Sequence, residues 1–179
     1  ENNSARFYPN AIRIRKDKIE KVKLDIKEYE DNKAKYGDEY FSMTIMDKKY
    51  DNKEEAGKAL LERLKTVMKD EYVPIGEYRG FTLEATFKSG LYNCHEVAIS
   101  KNYTYETKMG ADALGNLTRI ENVFKGLYAE LAGYEKDLDI MEQQYKNAEI
   151  ESKAEFPYEN ELNEKIIQLK EINAELGIN

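Results

Sequence analysis

Cys94, His95 and Glu96 follow one another directly and are the densest cluster of reactive groups in the chain. A thiol, an imidazole and a carboxylate can ligate a metal ion, or supply a nucleophile with its base. Here the spacing works against both. Tyr92 to Ser100 reads as a β-strand, and adjacent strand residues point to opposite faces. Cys94 and Glu96 then share a side, while His95 faces away. The 179 residues hold a single cysteine and a single histidine, so a closed zinc site would need ligands from elsewhere. No metal and no cofactor are expected, and Cys94 reads as a small buried thiol. A second candidate is the carboxylate group Glu135, Asp137, Asp139 and Glu142. These fall on a helical pattern, where acids form a solvated face and pair with lysines one turn away. The sequence has no phosphate loop, no G-x-G-x-x-G turn, no nucleophile elbow and no H-E-x-x-H pair. The chain itself is therefore expected not to be an enzyme.

Binding chemistry offers more. Arg13, Arg15, Lys16, Lys18, Lys21, Lys23 and Lys27 crowd one segment, whereas the last fifty residues are strongly acidic. A basic helix pairing with acidic helices accounts for this, and so does a basic ridge on DNA phosphates. The net charge of -7 favours the first account, because the balancing acid lies in the same chain. Tyr103 and Tyr105 alternate on a strand pattern and so share a face, suited to base stacking or to plain edge packing.

These residues sit on a framework set by hydrophobic spacing. Leu117, Ile120, Phe124, Leu127, Leu131, Tyr134, Leu138, Met141, Tyr145 and Ala148 alternate three and four apart, a heptad seam. An unbroken helix here is about 50 Å long. So narrow a stripe needs a partner helix. Ile12, Ile19 and Ile26, with Val22 and Tyr29, form a second seam, opened by Pro9 and closed by Gly37. Between the seams, Phe41 to Met46 alternates like a strand, and Asp51-Asn52 can cap a helix from Lys53 to Lys69. Val73 to Tyr78, Gly80 to Phe87, Tyr92 to Ser100 and Tyr103 to Lys108 read as further strands, with a tight turn at Lys101-Asn102. Gly115-Asn116 marks the junction into the long helix, with Asn116 as N-cap. Phe156-Pro157 is expected to break that helix, and Leu162, Ile166, Leu169 and Leu176 then define a third that folds back.

The expected fold is α+β: a long antiparallel coiled-coil arm carrying an inserted antiparallel sheet of about five strands with one packed helix. Residues 1–8 form a tail, 9–36 the first coiled-coil helix, 37–115 the sheet module, and 116–179 the long helix with its returning partner. The chain leaves the arm and returns at the same end, so the paired helices must run antiparallel. The first residue is Glu1 rather than Met, which suggests a fragment of a longer protein. One cysteine allows no internal disulfide, and no apolar run approaches ~20 residues. A cytoplasmic location without a membrane partner follows as the expectation.

Four segments carry a family resemblance. They are Tyr50 with Glu55-Ala56-Gly57 and Leu60; Ile75 through Phe81; Gly115 through Asn122; and Phe156-Pro157-Tyr158 with Glu161-Leu162. In this order they resemble the C-terminal region of very large bacterial helicase–DNA methylase proteins, carried on conjugative elements, plasmids and phages. The resemblance spans roughly Phe41 to Leu176. It implies helicase and methylase sites upstream of this segment and a non-catalytic accessory role for the segment itself, positioning DNA or a neighbouring domain. The candidate contact residues are Arg79, Lys88, Lys101, Lys108, Asn116, Arg119 and Asn122. Arg119 and Asn122 serve equally well as ties between sheet and helix. A coiled-coil module that assembles with itself or a partner, without touching nucleic acid, is the alternative.

Overall fold

The computed structural model describes residues 4–177. Two compact units divide the chain: Asp17–Glu135, and the residues up to Lys16 together with those from Lys136 onward. The secondary structure, in chain order, is α1 (Ser4–Tyr36), β1 (Met43–Ile45), β2 (Lys48–Tyr50), α2 (Lys53–Leu64), β3 (Val73–Tyr78), β4 (Phe81–Lys88), β5 (Cys94–Ser100), β6 (Thr104–Lys108) and α3 (Ala113–Glu175). The fold is mixed α+β, with one antiparallel sheet ordered β2-β1-β3-β4-β5-β6.

The sheet has six strands, not five. The added one is β2, which pairs with β1 across a turn at Met46-Asp47. Lys48-Lys49-Tyr50 has no apolar alternation, so its periodicity was silent. Alternation elsewhere divides the sheet cleanly. Met43, Ile45, Ile75, Phe81, Leu83, Ala85, Val97, Ile99 and Tyr105 are buried on one face. Against them pack Val22, Ile26 and Tyr29 of α1, Ala56, Leu60 and Leu64 of α2, and Leu117, Ile120, Phe124 and Leu127 of α3. Phe124 is the hub: it stacks on Tyr29 at 5.2 Å and meets Phe81 edge-on at 4.9 Å between centroids.

Two glycines set the sheet's geometry. Gly80 has φ 82° and follows Arg79 at φ 53°, a two-residue turn of the left-handed kind that matches strand twist. Gly76 lies so close to β1 that a Cβ there would stand 1.8 Å from the Thr44 carbonyl oxygen. At the end of α1, Gly37 donates its N–H to the Lys33 carbonyl at 2.8 Å and stops the helix.

In the Asp17–Glu135 unit, α1 and α3 lie antiparallel. Tyr29 meets Phe124, Tyr128 donates to Glu30 at 2.7 Å, and Lys23 pairs with Glu135 at 3.9 Å. Leu131 and Tyr134 are half-buried against this core. In the other unit, the same two helices approach through Lys16 and Glu142 at 3.3 Å and through Tyr8 and Tyr145, with centroids 6.1 Å apart.

Four expectations need correction. Helix α1 begins at Ser4, so Pro9 lies inside it and the tail expected over 1–8 is helical from residue 4; residues 1–3 lie outside the described ones. Pro9 removes only one hydrogen bond, to a carbonyl in the first turn, which a helix tolerates near its start. Helix α2 stops at Leu64 rather than Lys69. Helix α3 begins at Ala113, and its cap is Asp112, which accepts the Gly115 N–H at 2.8 Å; Asn116 is one turn inside. Finally, α3 runs through Pro157 to Glu175, so no third helix folds back. The good helix formers on both sides of Pro157 carry the helix across the missing bond. Tyr158, Leu162, Ile166, Leu169 and Leu176 are exposed in consequence.

Candidate interaction surfaces

The register separates the expected contact residues into two groups. Arg79 and Lys101 occupy the β3–β4 and β5–β6 turns at one end of the sheet, where Thr82 pairs with Ser100. Lys88 and Lys108 lie at the other end, beside Cys94 and Glu96. They do not form one basic stripe.

Most of them are also engaged within the fold. The Arg79 side chain is only 9% exposed; its Nε donates to Glu121 Oε1 at 2.9 Å, and its Nη1 to Asn32 at 3.4 Å. The Tyr78 hydroxyl donates to the same Glu121 oxygen. Burial, and then this carboxylate, hold the Tyr78 phenol well above its usual range. Lys101 pairs with Glu28 at 2.8 Å. Lys88 pairs with Glu96 at 2.9 Å and reaches Glu106 at 3.9 Å. Burial works to raise the Glu96 carboxyl, but the hydrogen bond and positive charge of Lys88 prevail and hold it below the usual range. Asn116 is buried, accepting the Gly110 N–H at 2.7 Å and donating to the Gly110 carbonyl at 3.0 Å. Arg119 donates to the Lys108 carbonyl at 3.0 Å. Lys108 and Asn122 are exposed, and Asn122 borders two surface cavities.

Several lysines and arginines of α1 are similarly occupied. Arg15 pairs with Asp137, Lys16 with Glu142 and Lys21 with Asp17. Lys18 stands over the rings of Tyr134 and Tyr103, at 3.9 Å and 4.9 Å from their centroids. Tyr103 and Tyr105 do share a face and meet edge-on at 5.5 Å.

Cys94 is a half-buried free thiol. The His95 ring packs edge-on against Phe87, with centroids 5.0 Å apart, on the face opposite Glu96. Among the described residues, no group of three or more His, Cys, Asp or Glu side chains is placed to hold a metal ion.

One polar site went unnoticed in the sequence. Asp25, in the middle of α1, is 0% exposed. Its Oδ1 accepts the Asn102 N–H at 2.9 Å and the Asn102 amide at 3.0 Å; its Oδ2 accepts the Tyr103 N–H at 3.0 Å and the Tyr105 hydroxyl at 2.8 Å. A buried carboxylate with four donors is satisfied, so its role is to fasten α1 to the β5–β6 turn. The available signal was position: Asp25 lies among Val22, Ile26 and Tyr29 on the apolar side of a helix whose other charges face out.

The outward face of the sheet is polar. Thr44, Glu77, Thr82, Ser100 and Thr104 form one row across it, and Thr86, Glu96 and Lys108 another. Among the described residues, no helix is long and apolar enough to cross a membrane. Comparison of the chain with protein-family models, with curated proteins and with solved structures found no match.

Proposed function

We propose that this chain is a non-catalytic accessory domain of a helicase–DNA methylase-like protein, and that it positions a neighbouring protein domain by direct contact rather than by gripping DNA. One observation carries the choice between the two: Arg79, Lys88 and Lys101 each close an ion pair with a carboxylate of the same fold. Arg79 is largely buried beside Glu121, and Lys88 pairs with the buried Glu96, so moving either cation to a phosphate would leave a shielded carboxylate unpaired. The basic residues also lie at two ends of the sheet, not along a single track. The resemblance of the ordered segments supplies the helicase–methylase context. In this reading α1 and α3 pair as an antiparallel coiled-coil arm.

The deciding experiment is a titration of the 179-residue chain into a fluorescent duplex at low salt. No saturable binding is expected. Tight binding that weakens steeply with salt would return the function to direct DNA contact.

Self-assembly is the second reading, and α3 favours it. Leu162, Ile166, Leu169 and Leu176 are 43–67% exposed and spaced four, three and seven apart. An apolar stripe of that kind is usually covered by another helix. Solution mass across a range of concentrations separates this reading from the first: a strict monomer at the highest concentration excludes self-assembly.

A further inference from the structure

The free edge of β6 has unspent hydrogen-bonding capacity. Met109 donates its N–H to the His95 carbonyl at 2.8 Å, and Lys101 to the Tyr103 carbonyl at 3.3 Å. These contacts continue the β5–β6 register at its two ends. Hydrogen-bonded pairs alternate along an antiparallel ladder, so the odd-numbered residues of β6 turn their backbone groups toward β5. Thr104, Glu106 and Lys108 therefore turn theirs outward. Arg119 agrees with this assignment, since it donates to the outward Lys108 carbonyl. The N–H and C=O groups of Thr104 and Glu106 have no partner among the described residues.

This edge borders a groove of about 410 Å³ whose other wall is α3. Asn122, Gly126, Glu130 and Tyr134 line that wall four residues apart, along one side of the helix. From the first to the last is about 18 Å of helix, and a five-residue strand spans about 17 Å. A Cβ on Gly126 would meet nothing within 4 Å, so the wall has a notch there. The two charged residues lining the groove, Glu106 and Glu130, are both acidic.

We propose that this groove accepts an extended segment of a partner protein, which adds to β6 as a further strand and carries a lysine or arginine where it passes Glu130. The unpaired backbone groups of Thr104 and Glu106 supply the attachment; the notch at Gly126 and the carboxylate of Glu130 select the side chains. A strand fits where a helix does not, because a helix has already used its backbone donors and acceptors. The other sheet edge is closed to this use: β2 is three residues long and carries Lys48 and Lys49, a short charged edge that resists pairing. The groove lies wholly within the Asp17–Glu135 unit and is independent of the exposed apolar residues at the end of α3.

The test is selection of peptides on the 179-residue chain from a displayed library of random dodecamers. The enriched peptide is then synthesised with a fluorophore and titrated. The enriched sequences are expected to be rich in β-branched residues and to carry a basic one. The bound peptide should slow hydrogen exchange at the Thr104 and Glu106 amides. Gly126→Gln places a good helix former over open space, so it should melt no lower than the parent while weakening the peptide roughly tenfold or more. Glu130→Lys should weaken it similarly, and Glu130→Gln less. Failure to enrich any peptide overturns the proposal. So does a peptide that binds Gly126→Gln and Glu130→Lys as tightly as the parent, or that leaves both amides exchanging at their free rate.

Discussion

Replacing Asp25 with alanine should destabilise the Asp17–Glu135 unit more than removing any exposed charge. The carboxylate takes four hydrogen bonds, and its loss strands the donors that make them. The Asn102 side chain is exposed and turns to water at little cost. The N–H groups of Asn102 and Tyr103 and the hydroxyl of buried Tyr105 remain. A hydrogen bond to a charged acceptor contributes about 1.5–3 kcal/mol. The turn is partly solvated, so the lower end applies, and the three together give about 4.5 kcal/mol. That is a large share of a domain stability of about 5–15 kcal/mol. Asp25→Asn keeps the volume and one accepting oxygen but points an NH₂ at a donor, and should lose about 2 kcal/mol. Asp17→Ala, which removes an exposed pair with Lys21, is the control and should change stability by less than about 0.5 kcal/mol. Urea unfolding followed by circular dichroism gives all three values. If Asp25→Ala loses less than about 1 kcal/mol, or if the asparagine variant is the worse of the two, the fastening role of Asp25 is wrong.

Gly76→Ala should cost about 3 kcal/mol or more, because its Cβ would collide with the Thr44 carbonyl and push β1 from β3; thermal melting checks this. Arg79→Ala should cost about 3 kcal/mol by stranding Glu121, and adding Glu121→Gln should recover part of the loss in a double-mutant cycle. Stability should fall at alkaline pH. Burial and the Asp25 carboxylate hold the Tyr105 phenol far above its usual range, and a hydrogen bond to Glu30 pushes Tyr128 up to about 12. The unfolded chain releases these protons near pH ~10. The stabilisation is therefore complete below that pH and is lost as pH climbs through the folded values. Unfolding midpoints measured at neutral and strongly alkaline pH should diverge, and Tyr105→Phe should narrow the gap.

Period and punctuation made most of the core legible in the sequence. The Leu117–Leu127 seam and the Val22, Ile26 and Tyr29 positions are buried where the spacing placed them. Five of the strands lie within a few residues of their expected limits, because alternation and the Arg79-Gly80 and Lys101-Asn102 turns mark them locally. The misses have two causes. A proline marks a boundary in sequence at 9 and 157, yet a helix absorbs one missing hydrogen bond when its neighbours favour helix. β2 is three residues of lysine and tyrosine whose strand state comes from pairing with β1, a tertiary effect. The internal partners of the candidate contact residues were illegible for a different reason. A lysine or arginine looks equally free in any sequence, and its partner can lie far along the chain. Glu121 is 42 residues from Arg79, and Asp25 is 80 from Tyr105.

Three of the four segments that carry the family resemblance meet within the Asp17–Glu135 unit, and the way they meet bears on function. Tyr78 and Arg79, from the second segment, both bond Glu121 of the third. Gly57, from the first, lies so close to the start of α3 that a Cβ would stand 2.8 Å from the Ala113 carbonyl oxygen. Gly76 admits β1, while Asn116 and Arg119 tie α3 to Gly110 and Lys108. Each of these residues therefore has a structural reason for its identity that requires no ligand. A motif whose polar members satisfy one another carries information about the fold and leaves little chemistry for a phosphate. In the proposed reading, contact chemistry comes from groups the fold leaves unsatisfied. In the Asp17–Glu135 unit those include the outward backbone of Thr104 and Glu106, beside the open notch at Gly126. In the proposed reading both suit an extended peptide, and Glu130 on the groove wall favours a basic side chain over a phosphate.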